Sequence, residues 1–210
     1  MYAVYLAGGI ASGKSTAARV MESLGACRID LDVLSRTVLE PGGACLDEVR
    51  DAFGDDLIDV RTGRLDRRRL ATVAFSTPGG IARLESIELP HIREALVAQL
   101  HQMALSGVCD VCVVEVPLLD RMGPLADLAD EVVCVTCPFE VRRVRARERG
   151  VEEADFDRRA ANQPSDEYLC DHADTVIENG GDQEELVAAV RAWWDGRLAS
   201  GWSRMRGEGR

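Results

Sequence analysis

Residues 8–16 read Gly8-Gly9-Ile10-Ala11-Ser12-Gly13-Lys14-Ser15-Thr16, a complete G-x-x-x-x-G-K-[ST] pattern followed by threonine. An apolar, β-prone run precedes it at 2–7. A segment with Ala18, Val20, Met21 and Leu24 at helical spacing follows at 15–24. Strand, glycine-rich turn and helix thus come in the order that lets backbone N–H groups and a helix N-terminus surround a phosphate. Lys14 is the only lysine among 210 residues, and every other permanently cationic side chain is arginine. A compact, rotatable ammonium can follow a moving phosphoryl group where a planar guanidinium fork cannot. The pattern predicts a nucleotide polyphosphate cradled by Gly8, Gly9, Ala11, Ser12, Gly13, Lys14, Ser15 and Thr16, with the Ser15 hydroxyl on Mg²⁺.

Composition narrows the partners. The net charge of −11 argues against a nucleic-acid partner held by bulk electrostatics, since phosphate backbones are held by clustered positive charge. Positive charge is local instead, in Arg67 to Arg69 and in Arg142, Arg143, Arg145, Arg147 and Arg149. Such runs serve either as solvated helix faces or as anion clamps. No apolar segment is long enough for a bilayer span, and no basic segment precedes the first apolar run as in a signal peptide. The expected location is the cytoplasm, with no membrane partner, and the expected assembly is a monomer or weak oligomer.

The seven cysteines include Cys109-x-x-Cys112 and Cys134-x-x-Cys137, a spacing that resembles a zinc ribbon. The runs at 108–116 and 131–136, which hold or border these pairs, read as buried strands, where residues three apart face opposite sides. Small buried hydrophobes are therefore expected, and an odd count in a reducing compartment predicts no disulfide framework. His91, His101 and His172 are too scattered for a metal site.

Further strands are expected at 26–29 and 175–178, and residues 33–107 read as mostly helical, broken at Pro41-Gly42-Gly43 and Thr77-Pro78-Gly79-Gly80. Helices are expected at 45–53 and 84–103. Alternating strands and helices predict an α/β fold of three layers, a parallel sheet covered on both faces, with ligands at the carboxyl ends of its strands. Asp30 and Asp32 follow the second strand, and Glu115-Val116-Pro117-Leu118-Leu119-Asp120 the third. The expected division is a core at 1–36, 108–140 and 168–197, a helical substrate-binding subdomain at 37–107 and a small lid at 141–167. Residues 198–210 form a tail rich in glycine, serine and arginine that should be frayed. Trp193 and Trp194 are expected to close a helix against the core.

With no second lysine, the base-reading Asn-Lys-x-Asp loop of GTPases is excluded, and 111–116 lacks the apolar-then-aspartate ending of motor ATPases. A small kinase with a lid fits the size and layout. At this point the chain resembles the dephospho-CoA kinase family. The resemblance rests on the loop itself, on Ile29-Asp30-Leu31-Asp32 with Arg36, on Glu40-Pro41-Gly42, Phe53-Gly54 and Val116-Pro117-Leu118-Leu119, on Arg159 with Gln163, and on Ala173-Asp174-Thr175-Val176-Ile177-Glu178-Asn179-Gly180. It implies a P-loop NTPase fold and transfer of phosphate from ATP to the ribose 3′-hydroxyl of dephospho-CoA, the last step of coenzyme A biosynthesis, with Mg²⁺ as cofactor. By the same resemblance Asp32 is the catalytic carboxylate, whereas its place ahead of a helical segment reads as an N-cap. Arg143 and Arg147, spaced to share a helix face, become catalytic lid residues with Lys14. Arg36, Pro117 and Leu118 join Asp32 against the substrate, and Asn179 becomes an adenine contact, though Asn-Gly also reads as a plain turn. Two departures stand out: Leu89-Pro90-His91 displaces the family's histidine, and the acidic position after Pro-Leu-Leu falls on Asp120 or Arg121.

Overall fold

The computed structural model describes residues 1–202. Five strands, β1 (Tyr2–Ala7), β2 (Cys27–Asp30), β3 (Val111–Glu115), β4 (Glu131–Thr136) and β5 (Thr175–Glu178), form one parallel sheet in the order β2-β3-β1-β4-β5. β1 is central and buried along its whole length, which is why it is apolar on both faces. Around the sheet lie α1 (Lys14–Ser23), α6 (Phe139–Glu148), α7 (Glu153–Ala161), α8 (Asp166–Asp171) and α9 (Gln183–Ala199). The core gathers Val4, Leu6, Val113 and Val133 of the sheet with Ala18 and Met21 of α1 and Val190 and Trp194 of α9. Trp193 packs against the same cluster, as the sequence suggests.

The described residues divide into two compact units, 1–30 with 102–202, and Leu31–His101. The second is helical: α2 (Leu31–Thr37), α3 (Ala44–Phe53), α4 (Arg67–Ser76) and the greater part of α5 (Gly80–Ser106). Its core is Leu39, Cys45, Val49, Leu57 and Leu70. Because the division falls after Asp30 rather than after residue 36, Asp32 and Arg36 belong to the helical unit. The helix opens at Leu31, so Asp32 stands inside its first turn instead of at the cap.

Three other expectations need correction. The third strand begins at Val111, which leaves Cys109 outside it, and the second covers Cys27–Asp30. Cys27 and Cys109 are joined by a disulfide, with Cα atoms 5.9 Å apart. Pairing of β2 with β3 brings together two cysteines 82 positions apart, a proximity no local spacing announces. The sulfur of Cys109 is thereby committed away from Cys112. Finally, α9 continues through Ala199, and Trp202 packs on Trp193, Trp194 and Tyr2, so the tail is ordered to that point. Residues 203–210 lie outside the described residues.

Glu88 of α5 is half-buried, and desolvation pushes its carboxyl up from 4.5 to about 7, opposed by Arg67 and reinforced by Glu85. A carboxyl that holds its proton more tightly when folded contributes most stability below its ordinary value, and loses that contribution as pH rises through about 7. Glu88→Gln should therefore raise Tm at about pH 8 and flatten the fall of Tm between about pH 5 and 8. Calorimetry over that range checks both.

Candidate active site

The phosphate loop leaves β1 at the carboxyl edge of the sheet, where the strand order reverses around β1 and crevices form in doubly wound folds. Gly13 adopts φ +104°, a conformation L side chains avoid, and a Cβ there would collide with the Asn179 amide. Gly9 meets the same restriction from another side, since its Cβ would overlap the guanidinium of Arg142. Ala11 also has positive φ, at 58°. The loop is thus wound tightly, with Gly13 preceding the first turn of α1.

Three side chains from distant parts of the chain hold this loop. Asn179 Nδ2 donates to Ser12 O at 2.6 Å, and the residue is buried. Ile10 N donates to Gln163 Oε1 at 2.6 Å. Arg142, also buried, lies against Gly9 and donates to Asp166 Oδ2 at 2.6 Å. The Ser12 hydroxyl is buried with no hydrogen-bond partner among the described residues.

Lys14 Nζ donates to Val116 O at 2.9 Å, at the end of β3. That carbonyl is fixed because Val116 N donates to Leu6 O at 2.9 Å, extending the β1–β3 ladder. Pro117 and Leu118 follow directly and are partly exposed. Ser15 Oγ donates to Glu115 Oε2 at 3.0 Å. Glu115 is 4% exposed, and its other oxygen accepts from Arg28 Nε at 2.6 Å. A carboxylate this deep needs a cation close by, and Arg28 supplies it from the neighbouring strand.

Beside the loop, Gly13, Thr16, Arg145, Glu148, Arg149, Asn179, Gln183 and Leu186 line a cleft of about 160 Å³. Arg145 is braced by Asn179 O at 3.1 Å and by Gly181 O. Arg149, one turn on, is exposed at the rim. Arg143 instead turns to α7, where Asp157 and Glu153 lie 3.4 and 3.7 Å away, and it packs on Phe139. Arg147 is exposed and makes no ion pair among the described residues. Of the arginine run, the structure therefore brings Arg145 and Arg149 to the cleft rather than Arg143 and Arg147. Asn179 does line it, but its amide nitrogen is committed to the loop. In the helical unit, the Arg36 carbonyl accepts from Arg67 Nη2 at 2.9 Å. His91 Nε2 sits 3.1 Å from Glu48.

Sequence reasoning missed Glu115, Arg28, Arg142, Arg145, Arg149 and Gln183 as site residues. Glu115 carried a local signal, an acid at the end of a buried strand, and Arg142, Arg145 and Arg149 lay in the arginine run already read as a solvated face or an anion clamp.

A parallel sheet in this order, with a lysine-bearing glycine loop at the switch point and an acid beside its serine, defines a P-loop nucleotide-binding protein of the small-kinase class. A family model described as dephospho-CoA kinase matches residues 2–185. A dephospho-CoA kinase of Corynebacterium diphtheriae is 40% identical over 195 residues, covering 92% of this chain and 96% of that protein. The crystal structure of a Thermus thermophilus protein superposes with a TM-score of 0.77 at 30% identity, covering 93% of this chain and 97% of the other. The solved structure of a dephospho-CoA kinase from Campylobacter jejuni shares the fold at a TM-score of 0.69 and 22% identity, covering 95% of this chain and 98% of the other. The chain belongs to the dephospho-CoA kinase family.

Proposed function

We propose that the protein transfers the γ-phosphoryl group of ATP to the ribose 3′-hydroxyl of dephospho-CoA, giving coenzyme A and ADP. The observation that carries this reading is the convergence of Lys14, Ser15 and Glu115 at the carboxyl edge of the sheet. Phosphoryl transfer runs through a loose transition state, so the protein contributes positioning and charge compensation more than covalent chemistry.

The donor set fits a hard divalent cation, since Ser15 and Glu115 offer oxygen only. Mg²⁺ held there would offset charge on the phosphate oxygens. Lys14 stands ready to exchange the Val116 carbonyl for a phosphate oxygen, and loop N–H groups face the same anion. Arg28 lies against Glu115 and holds one of its oxygens, leaving the other directed at Ser15. The cleft beside Gly13 suits the nucleoside, with Arg145 and Arg149 on its lid side, in residues 141–167. Asp32, from the first turn of α2, accepts the proton of the acceptor hydroxyl, and Arg36, Pro117 and Leu118 contact that substrate. We assign the enzyme to the cytoplasm as a monomer or weak oligomer with no nucleic-acid partner; among the described residues no helix is long and apolar enough to cross a membrane.

The test is ADP release with Mg²⁺ and ATP on addition of dephospho-CoA, AMP or gluconate. Turnover with dephospho-CoA alone is expected, whereas equal or faster turnover with AMP or gluconate would assign another acceptor. Glu115→Gln should raise the Mg²⁺ concentration for half-maximal activity by about tenfold or more, because it removes the acid beside Ser15. A titration of initial rate against Mg²⁺ checks this.

A further inference from the structure

β2 is four residues long and lies at the edge of the sheet, paired only with β3. So short an edge strand has few ladder bonds to hold it. It nevertheless carries Arg28, the cation that compensates buried Glu115 and, through Glu115, orients the Ser15 hydroxyl. Cys27 is the first residue of this strand, immediately before Arg28, and Cys109 stands two residues ahead of β3. Their disulfide ties the amino ends of the two strands together and closes a loop 82 positions long that contains the whole Leu31–His101 unit.

The remaining cysteines are chemically set apart. Cys45, Cys112 and Cys134 are buried, and burial pushes each thiol up to about 12, where little thiolate forms. Burial raises Cys137 and Cys170 as well. Cys27 is half-buried at the sheet edge and Cys109 is 8% exposed, so an oxidant reaches Cys27 first.

We propose that Cys27 and Cys109 are a reversible redox modification site whose closure pins the strand bearing Arg28. In a thiol-reducing medium both are free thiols, and a peroxide closes the bond. The Cys27 thiolate attacks the peroxide and becomes a sulfenic acid as one oxygen leaves as water. The Cys109 thiolate then attacks the Cys27 sulfur, the S–S bond forms, and the expelled hydroxide leaves as a second water after protonation. A dithiol reverses the step by two exchanges and is itself oxidised to a disulfide.

The experiment reduces the full chain with dithiothreitol, removes the reductant, and treats half with near-stoichiometric hydrogen peroxide. Peptide mapping without reduction, Tm and hydrogen exchange over residues 27–30 are then compared. The oxidised half should contain the Cys27–Cys109 linked peptide. Its Tm should be higher by about 5–10 °C, from closure of a long loop in the unfolded chain. Exchange at 27–30 should slow by about tenfold or more. Dithiothreitol should reverse all three in the unmutated protein, and in neither Cys27→Ser nor Cys109→Ser should peroxide produce the linked peptide, the rise in Tm or the slower exchange. Absence of the linked peptide overturns the proposal. So does a linked peptide with the same Tm and exchange in both forms, or an unchanged response in the serine variants.

Discussion

Lys14→Arg should lower kcat/KM for ATP by about a hundredfold or more while leaving the fold intact. The Lys14 ammonium sits 2.9 Å from Val116 O, a carbonyl that the sheet itself immobilises through Val116 N and Leu6 O. The loop around it is equally rigid, with Gly13 closed against Asn179 and Gly9 against Arg142. A guanidinium is longer and planar, with its donors in a fixed fork, so it cannot occupy the space of a single rotatable ammonium. Charge is retained in this substitution, which isolates shape and donor geometry from electrostatics. Initial rates of ADP formation, with circular dichroism and Tm on the same preparation, check the expectation; rates near those of the parent would show that any cation suffices.

Asp32→Asn should lower kcat by about a hundredfold to ten-thousandfold with little change in ATP affinity. Asp32 stands in the first turn of α2, two residues beyond the end of β2. A carboxylate near a helix N-terminus contributes only about 0.3–1 kcal/mol through the helix dipole, so a purely structural role predicts a small drop in Tm and near-normal turnover. Asparagine keeps the size and most of the hydrogen-bonding capacity but cannot take a proton from the acceptor hydroxyl. Comparing kcat, the dissociation constant for ATP and Tm therefore separates catalysis from helix stabilisation. A kcat within a few-fold of the parent would remove Asp32 from the catalytic residues.

The arginines of the α6 segment show where reading the chain alone stops. Arg143 with Arg147 and Arg145 with Arg149 are both spaced four apart, and helical periodicity treats the two pairs alike. Only the packing of α6 distinguishes them: Arg145 is drawn to the carbonyls of Asn179 and Gly181, while Arg143 is captured by the acids of α7. Asn179 teaches the same lesson. Its neighbour Gly180 suggests a turn and family likeness suggests a base contact, yet in the fold its amide clasps Ser12 O from 167 positions away.

What the chain determines locally is the strand, loop and helix at its start. There every requirement is met within sixteen residues: the buried β1 run, the glycines at positions that exclude a Cβ, the lone lysine and the serine after it. The alternation of strands with helices likewise dictates a parallel sheet, because parallel neighbours need a crossover between them. Tertiary structure decides which distant residues meet. Ser15 finds Glu115 across 100 positions, Ile10 finds Gln163 across 153, and Cys27 finds Cys109 across 82. Each pairing follows from strand order and helix docking, and the periodicities of 2 and 3.6 that make elements legible carry no information about which element lies beside which.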